Sequence, residues 1–369
     1  MIKALGFTLY GKKAASRRYR LDQYVAELAA LGVDLQIDGL LDDEYLEQTY
    51  NGRKFSKLKL ARAYAARIGR MRKLRDYDVC IVSGELFPLM PGQIEAAMLP
   101  IPYIYDFGDA HFIKYRQARF RYAPSIIADK FDHFIARAAA VTAGNHHLVS
   151  YARKWNGNAH FLPTVVPMQR YSQAPQRDPS RFTIGWIGSP STASYLKMLH
   201  GPLARIGAEG PTRFIVMGGH CDPIPNVEVV NLHWSEEAEI DVINTFDVGV
   251  MPLTDDEWSR GKCAFKMIQY MACGVPALVS PVGANLDVAQ GGRALLASDA
   301  REWVANLQLL RDDPLFAMAL GAAGRQRIER SYSLEAATPV LANVIRGVVT
   351  RDRVNRSSYA HHDGAWATR

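Results

Sequence analysis

The stretch KCAFKMIQYMACGVPALVSPVG, residues 262–283, predicts a helix followed by a strand. Its apolar residues Phe265, Ile268 and Met271 recur at helical spacing. The helical pattern ends at Gly274, as helix C-termini commonly do, and the apolar run PALVSP that follows reads as a strand. A helix that leads into such a strand is typical of parallel α/β architecture.

Three cations surround the start of this helix. Arg260, Lys262 and Lys266 lie in its opening turns, where backbone N–H groups are unpaired and the helix dipole favours an anion. A phosphate would fit there, so we predict that these side chains bind one. The alternative, which holds for most amphipathic helices, is that the lysines face water.

Short apolar runs alternate with amphipathic stretches along all 369 residues, which are too many for one ordinary core. In the first half the predicted strands are IKALGFTL, VDLQID, DVCIVS, IPYIYDF and AAVTAG. In the second half they are FTIGWIG, RFIVMGG, VEVVNL, VGVMPL and PALVSP. We predict an α/β fold of two Rossmann-like, doubly wound domains that face each other across a cleft and hold ligands at their strand ends.

A Pro- and Gln-rich stretch, residues 167–180, is the predicted linker between the domains. The first domain would span residues 1–166 and the second residues 181–334. Residues 335–350 are helical in pattern and are a candidate to pack back on the first domain. The last residues, 351–369, have no apolar periodicity, which predicts a disordered tail.

The composition, with 48% hydrophobic and 22% charged residues, is that of a soluble globular protein. No apolar run approaches the roughly 18 residues that span a bilayer, and the amino terminus has no signal-peptide pattern. The four cysteines are scattered and form no C-x-x-C pair, so neither disulfides nor a zinc site are predicted. We therefore expect a cytoplasmic location.

The net charge of +7 is uneven, because residues 53–75 contain ten Lys or Arg and no Asp or Glu. Leu60, Tyr64, Ile68 and Met71 recur at helical spacing in the same stretch. Such a basic amphipathic helix indicates peripheral contact with an anionic membrane surface. A solvated face is an equal alternative. Nucleic acid is disfavoured because no nucleic-acid-binding motif accompanies the charge.

Several loops after predicted strands suit a phosphorylated ligand. Gly188 allows close backbone approach, and the hydroxyls of Ser189 and Ser191 can donate to oxyanions. Gly218 ends the next strand, and Asn231 and Leu232 lie where backbone groups can contact a nucleobase. Ordinary strand-to-helix turns would explain each of these segments equally well.

In the first half, polar residues follow three strands. Gly11 and the arginines of SRRYR, which are Arg17, Arg18 and Arg20, come after the first strand and are candidates to bind an acceptor, although a charged helix start is the alternative. Glu85 follows CIVSG and is a further candidate of the same kind.

The segment YDFGDAH contains three groups that can orient a hydroxyl or take its proton, and we expect them in the cleft. These candidate catalytic residues are Asp106, Asp109 and His111. For Asp109, a helix cap is an equal alternative.

The succession GWIGSPST, DVGVMPL and KCAFKMIQYMACGVPALVSPVG resembles the donor-binding domain of the retaining family 4 glycosyltransferases. SRRYR, GELFPLMP, YDFGDA, AGNHHLVSYA and LPTVVP resemble the acceptor domain of its bacterial polysaccharide members. The resemblance covers residues 1–345. It implies the GT-B fold, a nucleotide-diphosphate sugar as donor, no metal or other cofactor, and a glycan or polyprenyl-linked glycan as acceptor.

The sequence departs from this family at two places. The family usually has two glutamates separated by seven residues, and here these positions are Gly261 and Gln269. The Arg and Lys of its first donor-domain loop are absent from residues 189–194. The resemblance thus implies that Arg260, Lys262 and Lys266 neutralise the diphosphate instead. It also implies that Gln269 takes the place of the catalytic glutamate and contacts a sugar or ribose hydroxyl.

Two other functions are compatible with the sequence. One is a nucleotide-sugar epimerase of the same fold, and the other is a non-catalytic nucleotide- or glycan-binding partner, which the loss of both glutamates permits. A NAD-dependent oxidoreductase is disfavoured, because neither half begins with the G-x-G-x-x-G pattern.

Overall fold

The computed structural model describes residues 1–50, 56–116, 125–171 and 177–363. The chain divides into two compact units. The first unit is Met1–Thr164 with Ala337–Arg369, and the second unit is Val165–Ala336. In the described residues, each unit contains a six-stranded sheet in which every paired strand is parallel.

The first unit has the strand order β2-β1-β3-β4-β5-β6. Its strands are β1 Ile2–Tyr10, β2 Val33–Leu41, β3 Val79–Ser83, β4 Tyr103–Phe107, β5 Ala140–Ala143 and β6 Ala159–Phe161. Its helices are α1 Ala15–Arg20, α2 Val25–Ala30, α3 Asp43–Tyr50, α4 Lys57–Met71, α5 Gly92–Ala97, α6 His111–Arg116, α7 Ser125–Ala128, α8 Lys130–Arg137 and α9 His146–Arg153.

The second unit has the strand order β12-β11-β10-β7-β8-β9. Its strands are β7 Phe182–Ile187, β8 Thr212–Met217, β9 Glu228–Leu232, β10 Val248–Met251, β11 Ala277–Val279 and β12 Leu295–Leu296. Its helices are α10 His200–Glu209, α11 Glu239–Ile243, α12 Glu257–Arg260, α13 Phe265–Ala272, α14 Ala284–Ala289, α15 Ala300–Asp312 and α16 Pro314–Ser331. The last helix, α17 Leu334–Asp363, begins in the second unit and continues in the first.

The predicted α/β fold is confirmed, because each unit is a parallel sheet flanked by helices. The central strands β3, β4, β7 and β10 are almost entirely buried, as expected of apolar runs without alternation. In a parallel sheet the loops that follow the strands meet at one edge, where α/β proteins bind ligands. The segments after β1, β3 and β4 in the first unit, and after β7 to β10 in the second, are therefore where this fold would bind its ligands.

The carboxyl terminus differs from the predicted tail. Helix α17 runs to Asp363, so residues 351–363 are helical, and residues 364–369 lie outside the described part. The predicted linker contains a 3-10 turn, Met168–Arg170, and its residues 172–176 lie outside the described part as well.

The basic stretch forms helix α4 and its flanks, while its residues 53–55 lie outside the described part. One cation of the set was misjudged. Arg67 is only 2% exposed and donates to the backbone carbonyls of Leu86 at 3.2 Å, Thr8 at 2.8 Å and Asp38 at 3.0 Å. Arg67 therefore belongs to the core of the first unit. In the described part of the chain, no helix is both long and apolar enough to cross a bilayer.

Candidate active site

The loop after β7 is closely packed at Gly188. Gly188 donates its N–H to the carbonyl of Met217 at 2.9 Å, and a Cβ at this position would collide with the Trp186 ring. Ser189 then caps a 3-10 helix, Pro190–Leu199, and its Oγ lies 2.9 Å from Oγ of Ser191. Gly188 is thus packed against Trp186 and Lys266, and the two predicted serine hydroxyls contact each other on an exposed turn.

Of the three predicted phosphate-binding cations, Lys266 lies at this loop. Its Cε is 2.7 Å from the point that a Cβ on Gly188 would occupy, and its Nζ lies 5.4 Å from the centroid of the Trp186 ring. The half-buried Lys266 side chain therefore brings an ammonium group to the carboxyl end of β7. The family that the sequence resembles has Arg and Lys in this loop, and this sequence lacks them.

The other two cations are placed differently. Arg260 is exposed and pairs with Asp255, with Nε–Oδ1 at 2.7 Å and Nη2–Oδ2 at 3.0 Å. This bidentate pair engages the Arg260 guanidinium, and its role as a diphosphate ligand stays a prediction. Lys262 lies with its Nζ 5.1 Å from the centroid of the Trp258 ring.

The entry to α13 is strained. Ala264, its N-cap residue, has φ of 54° and ψ of 24°, in the left-handed region that favours glycine. This conformation costs an L-residue roughly 1–2 kcal/mol. The sharp reversal brings Lys266 into the first turn of α13.

One turn further along α13, Gln269 is buried in a polar cluster, with 2% of the residue exposed. Its Nε2 donates to Oη of Tyr171 at 3.0 Å and to Oε2 of Glu239 at 2.7 Å. Glu239, on α11, also accepts a hydrogen bond from Nε1 of Trp234 at 2.8 Å. The sequence did not single out Glu239, because in WSEEAEIDV it is one of three glutamates at an ordinary helix start.

The ends of β8 and β9 form the neighbouring part of the site. Gly218 has φ of 79° and donates its N–H to the carbonyl of Leu232 at 2.9 Å. Asn231 receives the N–H of Cys221 at 2.9 Å and donates to its carbonyl at 3.0 Å. The side chain of Asn231 is therefore used to close a loop, and the predicted contact of its backbone groups with a nucleobase stays a prediction.

In the first unit, Asp106 is a buried structural residue and not a free base. Only 2% of it is exposed, and its carboxylate forms a two-point ion pair with Arg20. It also accepts from Oγ of Ser83 at 2.9 Å and Oγ1 of Thr142 at 2.7 Å, while Arg20 donates to the carbonyl of Leu162 at 2.8 Å. This network joins α1 to β3, β4, β5 and the residue that follows β6, so the geometry contradicts a catalytic role for Asp106 and an acceptor-binding role for Arg20.

The remaining predicted residues after β1 are also engaged. Arg17 is buried and its Nε lies 3.1 Å from both carboxylate oxygens of Asp22. Gly11 is buried against Asp43, where a side chain would collide. Arg18 is half-buried, with its guanidinium 5.5 Å from the Tyr19 ring centroid. Arg17 and Gly11 thus shape the loop, contrary to their prediction as acceptor contacts.

Glu85 belongs to a second buried charge cluster. Its Oε2 accepts from Nζ of Lys130 at 3.1 Å and from the Tyr115 hydroxyl. The same Nζ lies 3.1 Å from Oε1 of Glu95. Burial raises the pKa of Glu95 to about 7, against the opposing attraction of Lys130. Glu85 is thus positioned by a lysine that two carboxylates share.

Asp109 lies between β4 and α6, His111 is the first residue of α6, and both are partly exposed. The N–H of His111 donates to the carbonyl of Asp109 at 2.8 Å, and its Nε2 lies 3.8 Å from the point that a Cβ on Gly84 would occupy. Burial lowers the pKa of His111, opposed mainly by the Asp109 carboxylate. A neutral imidazole of this kind can accept a proton from a hydroxyl.

Neither unit has a clustered set of metal ligands in its described ranges. There, no group of three or more His, Cys, Asp or Glu side chains has the arrangement that would hold a metal ion.

Residues 181–313, within the second unit, match a family model described as glycosyl transferases group 1. No curated protein matches the chain. Sucrose-phosphate synthase from Thermosynechococcus elongatus is similar in structure, with 15% identity, coverage of 95% of this chain and 100% of that one, and a TM-score of 0.69.

Two further solved structures are similar. HepE of Anabaena in complex with UDP-glucose has 12% identity, coverage of 94% of this chain and 100% of that one, and a TM-score of 0.69. A glycosyltransferase from Rickettsia africae has 11% identity, coverage of 94% and 98%, and a TM-score of 0.67. At these identities the likeness concerns the fold, which is the GT-B fold. Together with the matched domain, it supports a glycosyltransferase of that fold.

Proposed function

We propose that the protein transfers a sugar, with retention of configuration, from a nucleotide-diphosphate sugar to a glycan or lipid-linked glycan. The observation that carries this proposal is the position of Lys266 beside Gly188, within the part of the chain that matches group 1 glycosyl transferases. An ammonium group at the loop that follows a strand can stabilise the negative charge of a diphosphate.

The chemistry follows from the charge that develops. When the bond between the sugar and the diphosphate breaks, negative charge grows on the leaving phosphate, and Lys266 is placed to stabilise it. Retaining transferases that resemble this chain are usually thought to need no protein nucleophile, because the leaving diphosphate helps to deprotonate the acceptor. Gln269, being neutral, would contribute a hydrogen bond to a hydroxyl and hold the donor in position.

The acceptor would be bound by the first unit. His111 and Asp109 are its best candidates, since both are partly exposed at a strand end and neither side chain has the buried ion pair that occupies Asp106. The chain's likeness to bacterial polysaccharide enzymes suggests a growing surface glycan as the acceptor.

A lipid carrier would place the protein at the cytoplasmic face of a membrane. Helix α4 supports this part of the proposal, because Lys57, Lys59 and Arg62 are exposed together with Leu58 and Leu60. Mixed basic and apolar exposure is the pattern of helices that lie on anionic lipid.

The donor proposal is tested by a thermal-shift panel of UDP, GDP, ADP, dTDP and CDP, each with magnesium and with EDTA. HepE structures contain UDP and UDP-glucose, so UDP comes first. A ligand at 100 times its Kd adds about 2.7 kcal/mol to stability, which should raise the Tm by several degrees. We expect one nucleotide to do so equally with and without EDTA.

The same panel separates the alternatives. Binding without hydrolysis or transfer of the corresponding nucleotide sugar would indicate the non-catalytic binding protein. No shift with any nucleotide would contradict the donor site itself.

A further inference from the structure

The polar cluster around Gln269 contains a buried carboxylate that the proposed transfer reaction has not used. Glu239 is 4% exposed, and its two oxygens accept from the Trp234 indole and the Gln269 amide. Both donors are neutral, and in the described part of the chain no Lys, Arg or His forms an ion pair with Glu239.

Such a carboxylate weakens the fold. Removing an ionised group from water is unfavourable, and neutral donors compensate only part of that cost. An apolar residue of similar volume would serve packing better, as measured for other buried charges. Buried charges of this kind concentrate at functional sites, where their field acts on a ligand or on another side chain.

The hydrogen bonds of Glu239 determine how Gln269 is oriented. An ionised carboxylate only accepts, so the side of the Gln269 amide that faces Glu239 must be its NH2 group. The carbonyl oxygen Oε1 must then point away from Glu239. Among the described residues, none donates a hydrogen bond to that oxygen.

The place of Gln269 links this orientation to the donor. Gln269 follows Lys266 by three residues on α13, so the two side chains lie on the same side of the helix. Lys266 is already beside Gly188. A carbonyl oxygen on the side of the helix that Lys266 shares would suit a hydroxyl donor.

We propose that Glu239 is a positioning residue, which locks the Gln269 amide so that its carbonyl oxygen accepts a hydroxyl group of the nucleotide sugar. This inference rests on the proposed function. The pair of Glu239 and Gln269 carries one negative charge, as the single glutamate expected by the resemblance at position 269 would. In this protein the charge lies on Glu239 of α11, whose Oε2 is 2.7 Å from Nε2 of Gln269.

The first test is Glu239→Gln. The amide oxygen of the introduced glutamine cannot accept hydrogen bonds from both Trp234 and Gln269. If it accepts from Trp234, the NH2 group of the introduced glutamine faces Gln269. The Gln269 amide must then turn its oxygen inward and present NH2 to the ligand. We expect about tenfold weaker binding of the nucleotide sugar, measured by calorimetry with UDP-glucose as first probe. Glu237→Gln, an exposed neighbour, is the matched control and should bind like the wild type.

The second test exchanges the two side chains, as Glu239→Gln combined with Gln269→Glu. In that variant the glutamine introduced on α11 accepts from Trp234 and donates to the carboxylate introduced on α13, which keeps an outward oxygen. Gln269→Glu alone places two carboxylates in contact and should bind at least tenfold more weakly. We expect the exchange to restore affinity to within about threefold of the wild type. If Glu239 acted only through packing, the exchange would not restore the affinity.

The source of the hydroxyl is read from two ligands. If the hydroxyl is on the ribose, Glu239→Gln weakens UDP and UDP-glucose alike. If it is on the transferred sugar, the loss is confined to UDP-glucose.

Two results would overturn the inference. One is wild-type affinity in Glu239→Gln for both ligands, whatever its Tm, since removing a buried charge can raise stability without touching the ligand. The other is an exchange variant no better than the single ones. If the wild type binds no nucleotide of the panel, the proposed function fails first and this inference with it.

Discussion

At the scale of single residues, side chains of the same type have different tasks because their neighbours differ. Arg260 and Lys266 are six positions apart in one basic stretch, yet Arg260 pairs with Asp255 while Lys266 lies beside Gly188. The spacing of the cations predicted a phosphate site but could not rank its members. An exposed aspartate five residues away engages Arg260.

Replacing Lys266 by alanine should therefore weaken nucleotide diphosphate binding severely, by about tenfold to a hundredfold, because the loss of a charge-assisted contact costs roughly 1.5–3 kcal/mol. Arg260→Ala should cause a clearly smaller loss. Titration calorimetry at low salt measures both, with the exposed Lys197→Ala as the control for net charge. Equal losses from Lys266→Ala and Arg260→Ala would contradict this ranking.

Asp106 shows the same limit in the first unit. Its sequence context, at the end of a strand, is the one expected of a catalytic carboxylate. Its partner Arg20 is 86 positions away, and their pairing becomes visible only when α1 is folded against β4. Local spacing cannot report a contact of that kind, and Glu239 was missed for the same reason.

At the scale of elements, the apolar runs predicted the strands, whereas helical periodicity did not predict which charged side chains of a helix are buried. The strands β1, β3, β4, β7, β8 and β10 lie within or on the runs predicted from sequence. For α4, periodicity identified the helix but not which cation turns inward. Arg67 is buried because three backbone carbonyls satisfy its guanidinium.

Helix α4 should bind anionic lipid through its exposed cations. Replacing Lys57 and Arg62 of α4 and Arg72, the residue that follows it, by alanine should reduce co-sedimentation with vesicles containing phosphatidylserine, because each basic side chain near such a surface contributes about 1 kcal/mol. Three cations, near 3 kcal/mol, correspond to roughly a hundredfold in partitioning.

The control variant removes the same charge elsewhere, with Lys197, Arg301 and Arg330 replaced by alanine. These three are exposed residues of the second unit. Equal losses from both variants would mean that net charge, and not α4, drives any binding. Absence of binding by the wild type at low salt would remove the membrane proposal.

At the scale of the whole molecule, the first unit is not continuous in sequence. It needs residues from Ala337 onward, where Leu341, Ile345 and Val348 of α17 are buried and Arg346 donates to the carbonyl of Leu31 at 2.6 Å. The carboxyl-terminal helix is therefore a structural part of the first unit.

A chain that ends at Ala336 should lose the cooperative unfolding of the first unit. Each fully buried Leu, Ile or Val side chain stabilises the fold by roughly 1.5–3 kcal/mol. The summed loss from the buried residues of α17 therefore exceeds a typical free energy of unfolding of about 5–15 kcal/mol. Calorimetry of the shortened chain would show one unfolding transition, that of the second unit. The full chain would show the heat of unfolding of both units. As a control, a chain that ends at Val354 keeps these buried residues and should unfold like the full chain. Cooperative unfolding of both units in the chain that ends at Ala336 would contradict the assignment of α17 to the first unit.

The sequence by itself determined the fold class, the two-sheet organisation and the stretch that we propose binds the donor. Hydrophobic periodicity and glycine positions are local properties that the backbone must obey wherever the segment lies. The tertiary structure alone decided which charges are available, because Asp106, Arg20, Arg67 and Glu239 all take partners distant in the sequence. Burial converts such a charge into a structural contact or a positioned one, and only the folded chain contains the partners that make the difference.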